Sequence, residues 1–159
     1  MKYSIRKIEA ADNSAIEKII KNTMTEFGAS GAGFSINDPE VLSMSLFYEK
    51  SGHAYFVISD GQNIFGGAGI APLTGHEDVC ELRKMYFLPE LRGLGVGQRL
   101  IETCLSKARE LGFSNCYLET LKSMTRAEKL YLKNCFMPIP EPMGNTGHFS
   151  CDSFYLKAL

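Results

Sequence analysis

Glu90-Leu91-Arg92-Gly93-Leu94-Gly95-Val96-Gly97-Gln98-Arg99 lies between a strand-like run and an amphipathic helix, with glycine at every second position of its centre. A strand that turns through glycines into a helix exposes several backbone N–H groups at the positive end of the helix dipole. That arrangement suits a phosphate or a diphosphate. Glycine lets the backbone close on an anion and permits positive φ, and Arg92 adds a fixed cation beside it. Two other phosphate loops do not fit. A nucleoside-triphosphate loop needs Gly-Lys-Ser/Thr, whereas Gly97 is followed by Gln98-Arg99. A dinucleotide fingerprint needs GxGxxG near the first strand and an acid ending the second, whereas Gly93 to Gly97 reads GxGxG deep in the chain. A tight strand-to-helix turn without a ligand is the remaining alternative, and the flanks decide.

Upstream stands Cys80-Glu81-Leu82-Arg83-Lys84-Met85-Tyr86-Phe87-Leu88-Pro89. Downstream come Leu100-Ile101-Glu102-Thr103-Cys104-Leu105, Asn115-Cys116-Tyr117-Leu118-Glu119-Thr120 and Ala127-Glu128-Lys129-Leu130-Tyr131-Leu132-Lys133-Asn134-Cys135-Phe136. Together these resemble the GNAT superfamily of acyl-CoA-dependent N-acetyltransferases. Its pattern is an apolar strand ending at proline, Arg/Gln-x-x-Gly-x-Gly/Ala, a helix, a strand, and a helix bearing Ala-x-x-Leu-Tyr before an aromatic-led strand. Arg92, Gly95 and Gly97 fill the Arg-x-x-Gly-x-Gly positions. The resemblance covers most of the chain and is strongest from Glu81 to Phe136.

The chain has 159 residues, 45% of them hydrophobic, and a formal charge of −1. That predicts one domain, 1–159, with a core that needs no staples. No basic excess recruits nucleic acid or anionic lipid, and no apolar run approaches the ~20 residues of a membrane span. Met1-Lys2-Tyr3-Ser4-Ile5-Arg6 alternates like a strand and lacks the apolar core of a signal peptide. Cys80, Cys104, Cys116, Cys135 and Cys151 are odd in number, far apart and without C-x-x-C, which predicts reduced thiols and a cytoplasmic setting. His53, His76 and His148 offer no zinc spacing, so no metal is expected.

Hydrophobic periodicity predicts a strand over Tyr3–Ile8 and a helix over 13–27, with Ser14-x-x-Glu17 as a capping box. A loop over Gly28–Gly33 leads to a second helix opened by Asp38-Pro39, with Val41, Leu42, Leu46 and Phe47 on one stripe. Strands over His53–Ser59 and Asn63–Pro72 meet at Asp60-Gly61, and Gly66, Gly67 and Gly69 mark a bulge or a close approach in the second. Thr74 to Asp78 reads as a polar turn, followed by a strand over Val79–Leu88. A helix from Val96 to Leu111, a strand over Ser114–Thr120, a helix over ~123–134 and strands over Phe136–Ile139 and His148–Ala158 complete the order. Hairpins combined with one β-α-β crossover predict an α/β domain. This is the element order of the GNAT fold, a mixed, mostly antiparallel sheet flanked by helices.

The resemblance implies a transferase, an N-acetyltransferase using acetyl-CoA as cosubstrate and a small-molecule primary amine as acceptor, attacked directly in a ternary complex. Backbone groups around Met85, Tyr86 and Phe87 would pair with the pantetheine arm. The N–H groups of Arg92, Gly93, Leu94, Gly95, Val96 and Gly97 would hold the diphosphate. Catalytic roles fall to Glu81 as base and Tyr131 as acid. Glu81 precedes Met85 by four residues, roughly 13 Å along a strand, so a water relay is expected. Its other reading is a strand carboxylate paired with Arg83 or Lys84. Simple alternation groups Glu81 with Arg83, Met85 and Phe87, unless a bulge changes the phase. Tyr131 reads alternatively as a core aromatic beside Ala127, Leu130 and Asn134. Two positions depart from the family pattern: Met124 stands where many relatives carry a cofactor-binding Asn, and Cys135 replaces the usual Gly. Glu119, Thr120, the turn Gly144-Asn145-Thr146-Gly147-His148 and the loop near Phe34 are placed to face the acceptor, with His148 either a second base or a turn residue. A non-catalytic acyl-CoA-binding module is the rival function. Exposed sheet edges allow a homodimer.

Overall fold

The computed structural model describes residues 2–159. Its elements are β1 (Ser4–Lys7), α1 (Asn13–Glu26), α2 (Met44–Phe47), β2 (Ala54–Ser59), β3 (Ile64–Leu73), β4 (His76–Phe87), α3 (Val96–Glu110), β5 (Asn115–Thr120), α4 (Thr125–Lys133), β6 (Met137–Ile139) and β7 (Ser153–Ala158). The strands form one sheet ordered β1-β2-β3-β4-β5-β7-β6. β4 and β5 run parallel across the α3 crossover, and the other neighbours are antiparallel. The mixed sheet and the order of its elements follow the sequence expectation.

Each face of the sheet is covered by a helix whose apolar stripe the sequence displays. α3 buries Leu100, Ile101 and Cys104 against Ile58, Ile70, Cys80 and Leu82. α1 buries Ile16, Ile20 and Met24 against Tyr55, Val57 and Ala71 on the opposite face. Five free cysteines are present, with Cys80, Cys104 and Cys116 buried. Among the described residues no helix is long and apolar enough to cross a membrane.

Four local expectations are corrected. The capping box lies one turn earlier than Ser14-Glu17: Asp12 accepts the Glu9 amide at 2.8 Å and is itself gripped by Arg6, while Glu17 pairs with Lys21. The predicted second helix breaks at Ser43 (φ −153°, ψ 62°) into a 3-10 turn, Pro39–Leu42, and the short α2. Leu42 and Leu46 consequently point to solvent, and Val41 and Met44 are the residues buried. β4 begins at His76, so the polar turn shrinks to Thr74-Gly75. β7 begins only at Ser153, which leaves His148 in a loop.

β3 and β4 do not pair continuously. Gly67 faces Tyr86 and Gly69 faces Arg83, so Lys84 and Met85 together oppose Ala68. This is a bulge, with Lys84 in the left-handed region at φ 53°. The glycines of β3 explain how it is held. A Cβ on Gly67 or Gly69 would strike the ring of Tyr55, which lies across β3 from its place on β2. From there the Tyr55 hydroxyl donates to the carbonyl of Lys84 at 2.8 Å. Tyr55→Phe would leave that buried carbonyl without its donor, and the expected loss of stability is about 1–3 kcal/mol, read as a lower urea midpoint at unchanged m-value.

Candidate active site

The bulge inverts the phase of β4. Cys80 and Leu82 face α3, and beyond Lys84 it is Met85 and Phe87 that face it. Glu81 therefore does not share a face with Met85 and Phe87, as simple alternation expects. It lies with Arg83 on the α1 side, where Tyr86 also packs. The β4–β5 ladder covers only Val79–Glu81, although β4 continues to Phe87 and β5 to Thr120. Beyond Glu81 the two strands part.

A cavity of about 440 Å³ opens into that gap, lined by Met85, Tyr86 and Phe87 on one wall and by Leu130 and Tyr131 on another. Arg92, Gly93, Gly95 and Gly97 close one end. Gly93 and Gly95 hold φ 79° and 73°, and Gly95 is the residue from which α3 departs. Gly97 serves contact instead: a Cβ there would lie 3.1 Å from the Phe87 ring. The expected run of amides is narrower than the sequence suggests. Arg92 and Leu94 donate within the turn, to Pro89 and Leu91, which removes their N–H groups from an anion site. Leu94 points to solvent and Val96 enters the core, so neither lines the cavity with its side chain. The amides of Gly93, Gly95, Val96 and Gly97 have no backbone acceptor among the described residues and stand at the positive end of α3. Gln98 and Asn134 exchange two amide hydrogen bonds of 2.9 and 2.8 Å, tying the first turn of α3 to the end of α4.

Tyr131 is buried at the cavity wall, with its ring against Phe136 and Tyr155. It is thus both a core aromatic and a cavity residue. Its hydroxyl makes no hydrogen bond among the described residues, and burial pushes the phenol above its ordinary value. Cys135 adopts φ 64°, the left-handed geometry that a glycine takes without strain, and lies outside the cavity.

Beside this cavity lies a pocket of about 40 Å³ lined by Glu81, Glu119, Thr120, His148, Phe34 and Cys151, among others. Leu82, Lys84, Tyr86, Glu119, Thr120 and Met124 border both spaces, so the pocket is a side chamber. Its charges are buried and almost all paired. Lys84, wholly shielded from solvent, meets Asp38 at 2.6 Å, and Arg83 meets Glu40 at 2.5 Å. The left-handed turn at Lys84 is what lets two consecutive side chains reach these two acids. The Tyr48 hydroxyl donates to Glu40 at 2.6 Å. His148 Nε2 lies 2.8 Å from Asp38, and its Nδ1 lies 3.7 Å from Glu119, which also accepts from Tyr117 and Thr146. Glu81 differs. It is 5% exposed and accepts no aligned hydrogen bond, its nearest cation being Arg83 Nε at 3.1 Å in poor alignment. Burial pushes its carboxyl up to about 7, against the opposing pull of Arg83 and His148.

The comparisons with known proteins agree with this geometry. The family model described as acetyltransferase (GNAT) family matches residues 18–135. The chain belongs to the GNAT family. It is 40% identical over 157 residues to the uncharacterised N-acetyltransferase YjgM of Escherichia coli K12, covering 98% of this chain and 94% of that one. A GNAT-family acetyltransferase from Staphylococcus aureus superposes with a TM-score of 0.84 at 20% identity, over 98% of both chains. The acetyltransferase yncA of Salmonella typhimurium, solved with acetyl-CoA, gives 0.78 at 17% identity over 99% of this chain and 94% of its own.

In this GNAT chain the sequence reading missed Asp38 and Tyr55. Asp38 looks like a helix cap, but its side chain caps nothing; it binds Lys84, Arg83 and His148 instead. The donor atoms of Glu81, Glu119 and His148 fall within 4.8 Å of one another. Burial alone would lower the imidazole, yet the hydrogen bond to Asp38 and the nearby carboxylates of Glu119 and Glu81 outweigh it and hold His148 at about 9. Its Nε2 is engaged with Asp38, and its Nδ1 lies 3.7 Å from Glu119. Burial likewise opposes the Asp38 charge, but His148 and Lys84 bring its carboxyl down to about 2. The His148 value lies above the ordinary 6.5, so this link stabilises the fold fully below pH 6.5 and is lost as pH rises through about 9. Thermal melts should show wild type losing stability across that window, by about 1–2 kcal/mol more than His148→Gln.

Proposed function

We propose that this chain transfers the acetyl group of acetyl-CoA to a primary amine by direct attack in a ternary complex. The observation that carries the reading is the parting of β4 from β5 beside a glycine-turned helix N-terminus, with Glu81 where the split begins and Tyr131 on the cavity wall. The acetyl-CoA in the yncA structure makes this cosubstrate the natural one. Backbone groups of Met85 to Phe87 meet the amide units of the pantetheine arm as an added strand would. The free amides from Gly93 to Gly97, with Arg92, receive the diphosphate.

The amine nitrogen attacks the thioester carbonyl carbon, a C–N bond forms, and the C–S bond breaks. The proton leaving nitrogen passes to Glu81, directly or through water. A carboxyl near 7 is half ionised at working pH and is a matched acceptor. The departing thiolate takes a proton from Tyr131. Burial keeps that phenol protonated, and the same low-dielectric wall raises the proton affinity of the thiolate. Cys151 borders the chamber, but burial and the nearby carboxylates push its thiol up to about 12, which disfavours a thiolate nucleophile and an acyl-enzyme.

Isothermal titration should show saturable binding of acetyl-CoA, and its absence overturns the proposal. Tyr131→Phe should lower kcat about 100-fold or more while the acetyl-CoA Kd stays within about twofold. Because Glu81 works ionised, kcat should fall as pH drops below about 7. Glu81→Gln should lose that limb in a pH–rate profile.

A further inference from the structure

The side chamber discriminates among amines by size and by charge. Its volume of about 40 Å³ admits about three water-sized atoms, the end of a C–C–N chain. Widening is opposed from above. The loop at residues 32–38 is clasped to the loop at 148–150 by Ser150, whose amide and hydroxyl donate to Gly33 and Ala32 at 3.1 and 2.7 Å, and by the His148–Asp38 pair.

The wall holds three cations, and each is already matched: Lys84 with Asp38, Arg83 with Glu40, His148 with Asp38 and Glu119. Of the two glutamates lining the chamber, Glu81 is the one without an aligned hydrogen bond, nine-tenths buried and within 4.8 Å of Glu119. Among the described residues Arg83 Nε is the one buried side-chain nitrogen lacking an aligned acceptor, but it lies 3.1 Å from Glu81, so an incoming carboxylate would be pressed against that acid. The chamber can therefore receive a cation and has no place for an anion.

Resting on the amine-transfer reading, we infer that the acceptor is a primary amine at the end of an unbranched alkyl chain, with no carboxylate on the carbon that bears the nitrogen. It enters as an ammonium between Glu81 and Glu119 and yields one proton to solvent, so that the neutral amine attacks and Glu81 takes the proton released on attack. Substituents on that carbon have no volume to occupy, and a carboxylate there meets like charge.

The test uses the whole protein with acetyl-CoA and three amines of equal carbon count: n-butylamine, sec-butylamine and 2-aminobutyrate, with thiol release and product mass as readouts. n-Butylamine should exceed sec-butylamine in kcat/KM by about tenfold, and 2-aminobutyrate by about 100-fold. Glu119→Gln should raise KM for n-butylamine several-fold while the acetyl-CoA Kd is unchanged, which also shows that the variant is folded. If 2-aminobutyrate or sec-butylamine is used as well as n-butylamine, the inference is overturned while amine transfer stands. If acetyl-CoA binds and none of the three is acetylated, the amine-transfer reading falls and this inference with it.

Discussion

The irregularity in β4 at Lys84 governs the rest of the molecule. One residue in the left-handed region moves Met85 and Phe87 onto the face where Cys80 and Leu82 lay, and it sends Arg83 and Lys84 together toward Asp38 and Glu40. Three residues before it, after Glu81, β4 ceases to pair with β5. A non-glycine residue in this conformation costs about 1–2 kcal/mol, and two interactions offset it: the Tyr55 hydroxyl on its carbonyl and Asp38 on its ammonium. The bulge thus lies between an open strand edge on one side and a walled chamber on the other.

The two spaces are governed by different physics. The larger cavity is walled by Phe87, Leu130 and Tyr131 and ends at unpaired backbone amides, a combination matched to a long ligand with an anionic middle. The chamber is dominated by buried charge. Asp38 is kept ionised by His148 and Lys84, whereas Glu81 is destabilised as an anion by burial because no donor faces it squarely. Two carboxylates within 4.8 Å thus differ in their partners: Glu119 accepts from Tyr117 and Thr146, and Glu81 accepts no aligned hydrogen bond.

Much of this was legible in the residues. The glycine turn, the α3 stripe, the Asp60-Gly61 hairpin and the crossover are local patterns, and local patterns survive folding. The bulge was legible only as a warning, because Gly67 and Gly69 mark a close approach without saying that the approaching group is the ring of Tyr55. Asp38 was misread for the opposite reason. Asp-Pro is a strong local signal for a cap, yet its partners Lys84 and His148 lie 46 and 110 residues away and no periodicity reveals them. His148 reads as part of a strand because the pattern after it alternates; its ring bond to Asp38 and its amide bond to Thr146 hold it in the loop.

The paired amides of Gln98 and Asn134 lock two helices at one side of the larger cavity, while the roof of the chamber is laced by ion pairs and loop hydrogen bonds. Such a division separates a stiff jaw from a remodelable one. Replacements in the 28–43 and 140–152 segments can reshape the chamber without touching the Gln98–Asn134 lock beside the larger cavity. A lineage built on this scaffold is thereby free to diversify its chemistry one loop at a time.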